Sequence, residues 1–169
     1  HEYVTKFLPM NFSFINIKSF KRTKSEFLNR DYYNWLASKA SGDYLWVIAD
    51  DVQCETEHWD KILISRLDEE IKKYPDRIMY AGVKEIKSKA KHICFPIVTK
   101  EAYKVLGMVL HPQLLSWGAD RTVWEVYNGI GRTFFIPDVA IMHMSYHDGF
   151  SSVDAIAQSM RERFFRDPD

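Results

Sequence analysis

The sequence lacks a net charge, because 23 lysines and arginines balance 23 aspartates and glutamates over 169 residues. General nucleic-acid-binding proteins are usually basic, so we expect no nucleic-acid partner. The chain also lacks an apolar run long enough to span a membrane, and its first residues do not form a signal-peptide pattern. Internal repeats and low-complexity segments are missing as well. These absences predict a single cytoplasmic domain over residues 1–169.

Cysteine is scarce, since Cys54 and Cys94 are the two cysteines of the chain and they form no Cys-x-x-Cys pair. Their separation indicates free thiols in a reducing compartment, and a single disulfide is the alternative. Apolar residues make up 46% of the sequence and aromatic residues 15%, which is enough to build a sizeable core.

Strand-like and helix-like patterns alternate along the chain, which is typical of an α/β fold. We predict a mixed, mostly parallel sheet flanked by helices, with Thr56 capping the second helix and Pro96 placing its strand at a sheet edge. The strand-like segments are 12–17, 44–49, 77–83, 93–98, 133–136 and 139–142, and the helix-like segments are 25–40, 56–74, 100–106, 120–129 and 151–166.

The segment from Tyr44 to Ala49 is apolar without alternation and stops at two adjacent carboxylates, Asp50 and Asp51. A strand of this kind is expected to be buried on both faces of a sheet. Ligands of open parallel sheets bind at the carboxyl ends of the strands. Two neighbouring carboxylates repel each other, and a hard cation would relieve that repulsion. The alternative is a helix cap or a solvated turn.

The order of several short motifs resembles the family-2-type glycosyltransferases of the GT-A fold. That family has an Asn on a helix, then Ala-x-Gly-Asp-Tyr, an apolar strand and a DxD-type acidic motif. A Gly-Glu-Asp-type motif at a helix start and a closing strand with a terminal His follow. The corresponding positions are Asn34, Ala40, Gly42-Asp43-Tyr44, Asp50-Asp51, the run from Cys94 to Gly107, Trp117-Gly118-Ala119-Asp120, Asn128 to Arg132 and Pro137 to His143, within a match over residues 24–147.

This resemblance implies a metal-assisted, inverting transfer of a sugar from a nucleotide-diphosphate donor to a glycan or another hydroxyl acceptor. The metal would be Mn²⁺ or Mg²⁺, which neutralises the diphosphate leaving group. The implied roles are donor binding for Asn34, Asp50 and Asp51, metal binding for Asp51, Asp50 and His143 with His147 as a weaker candidate, base catalysis for Asp120, and acceptor binding for Trp117 and Gly118.

Each of these residues also has an ordinary structural interpretation. His143 could be a core or interface histidine, Asp120 a helix cap, and Trp117 a core side chain. The chemical interpretation therefore depends on whether the fold brings the residues together.

The chain departs from the family pattern at three places. Ala49 stands where the family commonly has its first Asp, and Tyr33 replaces an Arg that often precedes the helix Asn. Only 23 residues precede Lys24, so the two strand–helix units with which the family begins have no counterpart. We therefore expect an N-terminally shortened domain, a fragment, or a sheet that is completed in a homo-oligomer.

These departures leave two other functions open. The first is a non-catalytic glycosyltransferase-like domain that acts in binding or assembly. The second is a metal-dependent hydrolase of phosphate esters that uses Asp50, Asp51 and His143.

The segment 151–166 has the pattern of an amphipathic helix with three arginines near two phenylalanines. Such a helix can rest as a peripheral contact on an anionic membrane surface. The alternative is a helix that packs on the domain with its arginines solvated.

Overall fold

The computed structural model describes residues 29–88, 92–114 and 118–144. The predicted strand 12–17, the helix 151–166 with its membrane contact, Trp117 and His147 lie outside these residues. A π-helical segment, Asn29–Asn34, opens the described part, and a 3₁₀ turn spans Ile71–Lys73. The other elements are α1 (Trp35–Lys39), β1 (Tyr44–Trp46), β2 (Val52–Cys54), α2 (Trp59–Glu70), β3 (Tyr80–Glu85), β4 (Ile97–Thr99), α3 (Lys100–Leu106), α4 (Ala119–Gly129) and β5 (Thr133–His143).

The α/β class is confirmed, but the prediction of a mostly parallel sheet is wrong. The five described strands lie in the order β1-β4-β3-β5-β2. Only β3 and β5 run parallel to each other, and the other three pairings are antiparallel. The chain between β3 and β4 is too short for the helical crossover that a parallel neighbour needs, so β4 turns back beside β3.

The link between β1 and β2 forces the sheet to curl. Residues 47–51 join two strands at opposite ends of the strand order. Four strand spacings measure about 19 Å in a flat sheet. A fully extended link between Trp46 and Val52 would reach only about 21 Å, and residues 50–51 form a turn instead. The two edges of the sheet therefore approach each other near Asp50 and Asp51.

The strand that precedes the acidic pair Asp50-Asp51 is shorter and less buried than predicted. β1 ends at Trp46, and only one further ladder-like bond follows it, from Val47 N to Pro96 O at 2.8 Å. Leu45 is buried, whereas Ile48 is 38% exposed. Burial on both faces is therefore wrong for the second half of this segment, because the chain leaves the sheet to make the link.

Both faces of the sheet are covered, and side chains alternate between two core clusters. On β3, Tyr80 belongs to the cluster under α1, α3 and α4, whereas Ala81 and Val83, with Met79 just before the strand, belong to the cluster under α2. This alternation is the period of two that a strand imposes. Each fully buried large apolar side chain contributes about 1.5–3 kcal/mol, so the two clusters hold the helices against the sheet.

The predicted apolar stripe of α2 is confirmed, but its predicted cap is wrong. Leu63, Leu67 and Ile71 are buried, and Trp59 and Ile62 pack against the same cluster. His58 rather than Thr56 occupies the N-cap position. The Thr56 hydroxyl instead accepts a hydrogen bond from Ala140 N at 2.8 Å, which ties the loop to β5.

Two other predictions about strands are corrected. β4 lies between β1 and β3, so Pro96 does not mark an edge strand. The proline precedes the first residue of β4, where its missing N–H removes no ladder bond. The segments 133–136 and 139–142 form one strand, β5, whose register to β3 shifts between Ile136 and Ala140. The helices α3 and α4 agree with their predicted ranges, and Gly107 caps the C-terminus of α3 in the left-handed conformation, with φ 68°.

Within the described ranges, no helix combines the length and apolar character needed to cross a bilayer.

We predict that Gly82→Ala destabilises the protein, because an added Cβ would lie 2.6 Å from Ile93 Cγ1 and closer still to Cγ2. The expected loss is about 1–3 kcal/mol in urea unfolding. Gly129→Ala is the matched control, since nothing lies within 4 Å of its added Cβ. Combining Gly82→Ala with Ile93→Ala should cost less than the sum of the single changes, and strict additivity would contradict the proposed clash.

Candidate functional site

Antiparallel pairing of β2 and β5 brings Asp51 and His143 together. Val52 pairs with His143, and Met144 N donates to Asp51 O at 2.8 Å. The side chains then meet, with Asp51 Oδ2 3.2 Å from His143 Nε2. The Asp51 side chain is 37% exposed and the His143 side chain 29%, so both remain accessible to a ligand.

Glu85 occupies the other side of the same imidazole. It is the last residue of β3, and its Oε1 lies 3.4 Å from His143 Nδ1. Phe95 packs edge-on against the ring, with the centroids 4.9 Å apart. A carboxylate on Nδ1 orients a histidine so that Nε2 is presented to a cation. His143 is therefore held between two carboxylates rather than buried in an apolar core.

Asp50 and Tyr33 adjoin this group. Asp50 is exposed. Burial raises the pKa of the Tyr33 phenol, and the negative charges of Asp50 and Asp51 raise it further. Both carboxylates thus act electrostatically on the same phenol, which stays neutral at neutral pH.

A second group forms around Asp120. This residue lies in the first turn of α4, but the N-cap is Gly118, with φ 79°, and no side chain caps the helix. The Asp120 carboxylate instead has its Oδ2 3.2 Å from His92 Nε2, and Cys94 Sγ lies 3.9 Å from the same nitrogen. The structural alternative for Asp120, a helix cap, is therefore not what the carboxylate does.

The Cys94 thiol lies in an electronegative and partly buried environment. Burial raises its pKa to about 12, and the charges of Glu85 and Asp120 contribute to the rise. Glu85 therefore affects both groups. It contacts the His143 ring, and its charge raises the pKa of Cys94.

One cavity of about 400 Å³ joins the two groups. Its wall includes His143 and Glu85 from the first group and His92, Cys94 and Asp120 from the second. A second cavity, of about 430 Å³, is lined by Trp124, Phe134 and Phe135. The two cavities share Glu85, His92, Cys94 and Phe95 as lining residues. Ile93 lines only the second cavity. The cavity beside His143 thus brings two imidazole rings, two carboxylates and a thiol to one space.

The predicted site residues differ in how the structure uses them. His143, Asp120 and Gly118 line the cavity, and Asp51 contacts His143. Asn34 does not line it. Its Oδ1 accepts from Val109 N at 2.7 Å and from Leu110 N at 3.2 Å, and its Nδ2 donates to Leu110 O at 2.8 Å. A nucleotide contact by Asn34 stays a prediction, and the structure adds a role in holding the loop that lines the cavity.

Glu85 and His92 were missed by sequence reasoning, and Cys94 was assigned no role at the site. The signal that could have found two of them is the His-x-Cys spacing, because alternate residues of an extended segment share a face. No local pattern marks Glu85, whose importance comes from its neighbour on β5.

Comparisons of the chain with family models, curated proteins and solved structures found no match.

We predict that Asn34→Ala destabilises the ligand-free protein by about 3 kcal/mol, because two main-chain N–H groups lose their acceptor. Thermal and urea unfolding would measure the change. Asn128→Ala is the control, since Asn128 is exposed and its side chain accepts one bond from the exposed Thr133 hydroxyl. Equal stability of the two variants would contradict the role of Asn34 in holding the loop at Val109 and Leu110.

Proposed function

We propose that this chain is a glycosyltransferase of the GT-A type. It would move a sugar from a nucleotide-diphosphate donor to a glycan or another hydroxyl acceptor, with Mn²⁺ or Mg²⁺. The observation that carries the proposal is the 3.2 Å contact between Asp51 and His143, which are distant in sequence and are the expected metal ligands.

The donor atoms of Asp51 and His143 fit a single divalent cation. Two adjacent ligands of an octahedral ion with bonds near 2.1 Å are separated by about 3 Å, close to the distance between Asp51 Oδ2 and His143 Nε2. An oxygen and an imidazole nitrogen suit Mn²⁺ well, whereas Mg²⁺ prefers oxygen and would depend more on Asp50 and Asp51. A cation bound there would supply positive charge opposite the diphosphate leaving group.

Glu85 supports this arrangement from the far side of the ring. A carboxylate 3.4 Å from Nδ1 favours the tautomer of His143 that carries its proton on Nδ1, and this tautomer leaves the Nε2 lone pair free to bind a cation. The carboxylate also adds negative charge next to the site, and this charge favours a cation over an anionic ligand alone.

Asp120 is the residue proposed to take the proton from the attacking hydroxyl. A base must lie within hydrogen-bond reach of the proton it removes, and Asp120 faces the same cavity as His143. His92 at 3.2 Å positions the carboxylate. A single base opposite the leaving group implies inversion at the anomeric carbon. The left-handed Gly118, without a side chain, leaves one wall of the cavity open to an acceptor.

We predict that UDP or GDP binds in the presence of Mn²⁺ and that Asp51→Asn weakens this binding by more than about tenfold, because a metal ligand loses its charge. Isothermal titration calorimetry with and without Mn²⁺ measures the effect. Asp60→Asn is the matched control, since Asp60 is an exposed carboxylate in the first turn of α2.

Folded protein that binds neither nucleotide with Mn²⁺ would contradict the proposed transfer. That outcome would favour the alternative of a non-catalytic domain that acts in binding or assembly.

We predict that Asp120→Asn lowers the rate of sugar transfer, or of the slow donor hydrolysis by water, by roughly 100- to 10,000-fold. The affinity for nucleotide with Mn²⁺ should stay within about twofold, because the donor atoms of Asp51 and His143 are unchanged. Release of product from a nucleotide-sugar donor measures the rate. A variant that loses donor binding together with rate would overturn the assignment of Asp120 as the base.

A further inference from the structure

We propose that His92, Cys94 and Asp120 form a Zn²⁺ site that is separate from the one proposed at Asp51 and His143. Each residue offers one ligand atom, and the three atoms lie within 4.8 Å of one another. In the described part of the chain, no other cluster of three or more His, Cys, Asp or Glu side chains meets this criterion.

Two of the distances between these atoms lie close to the edges of a tetrahedral zinc centre. Zinc bonds to imidazole, thiolate and carboxylate imply edges of roughly 3.3–3.6 Å. The observed separations are 3.2 Å between His92 Nε2 and Asp120 Oδ2 and 3.9 Å between His92 Nε2 and Cys94 Sγ. Small side-chain rotations would therefore bring all three atoms onto one ion.

The chemistry of the donor set selects zinc over the cations proposed for the first site. A thiolate is a soft ligand that favours Zn²⁺ and disfavours Mg²⁺ and Mn²⁺. The neighbouring Glu85 carboxylate adds negative charge without being one of the three ligands. The site at Cys94 and the site at Asp51 thus differ in the softness of their ligands as well as in position.

The surroundings leave a fourth coordination position open. All three ligands line the cavity of about 400 Å³, and each of the His92 and Asp120 side chains is 23% exposed. Three protein ligands with an open position are typical of zinc sites that exchange a water or a small ligand. Binding would release the Cys94 thiol proton to the buffer.

One consequence rests on the proposed function. Zinc would occupy the Asp120 carboxylate, which is the proposed base, so zinc should inhibit sugar transfer while Mn²⁺ supports it. The site would then act as a reversible block on the proposed reaction.

Cobalt substitution of the chelator-treated protein tests the site directly. Co²⁺ bound by Cys94 should give a thiolate-to-cobalt charge-transfer band and visible bands of four-coordinate cobalt, at one ion per chain, and Zn²⁺ should bleach them. Cys94→Ser should abolish the charge-transfer band, and His92→Gln should weaken binding by more than about 100-fold, because even outer-shell partners are worth roughly 10- to 100-fold.

Cys54→Ser is the matched control, because Cys54 lies in β2 outside the cluster. It should retain the bands at full intensity. Wild-type protein without a charge-transfer band, or a band lost in Cys54→Ser and kept in Cys94→Ser, would overturn the proposal. Circular dichroism of each variant establishes that a lost band does not reflect unfolding.

The same titration distinguishes this site from the proposed function. Asp51→Asn should keep the cobalt bands while losing nucleotide binding with Mn²⁺. Intact cobalt bands in a protein that binds no nucleotide would overturn the transferase and leave the zinc site standing. Nucleotide binding without cobalt bands would overturn the zinc site and leave the proposed transferase standing.

Discussion

The short link between β1 and β2 is the constraint on which the candidate site depends. Residues 47–51 connect strands at opposite ends of the sheet order, so the sheet cannot stay flat. The curl carries Asp51 to the end of β5, where hydrogen bonding of β2 to β5 places it beside His143. Backbone pairing, rather than attraction between the side chains, determines this meeting. The Asp51–His143 contact itself is too exposed to stabilise the fold by much.

The same sheet also organises the second group, through a buried tyrosine on β3. Tyr80 on β3 is buried under α4 and stacks on Tyr127, with the ring centroids 5.2 Å apart. Its hydroxyl lies 3.3 Å from Ile93 O and 3.5 Å from Asp120 O. One buried phenol therefore fixes both the segment that carries His92 and Cys94 and the helix start that carries Asp120. Because burial raises the pKa of Tyr80 well above its usual value, this hydroxyl stays protonated and able to donate.

The part of the fold that could be predicted from sequence is the part that local patterns control. The stripe of α2 and the ends of α3 and α4 follow from periodicity and from Gly107. Strand direction could not be predicted, because it depends on how the connections cross the sheet. At the site, Asp51, His143 and Asp120 came from the order of motifs, whereas Glu85 has no local signature. Its partner lies on β5, and only the parallel pairing of β3 with β5 brings the two together.

The wall between the two cavities has a consequence for any pair of ligands. Glu85, His92, Cys94 and Phe95 line both spaces, so the same side chains separate the two cavities. A ligand that displaces these side chains toward one cavity changes the volume of the other. The thermodynamic linkage is reciprocal. If a ligand in the cavity lined by Trp124, Phe134 and Phe135 changes the affinity of a second ligand beside His143 by some factor, the second ligand changes the affinity of the first by the same factor.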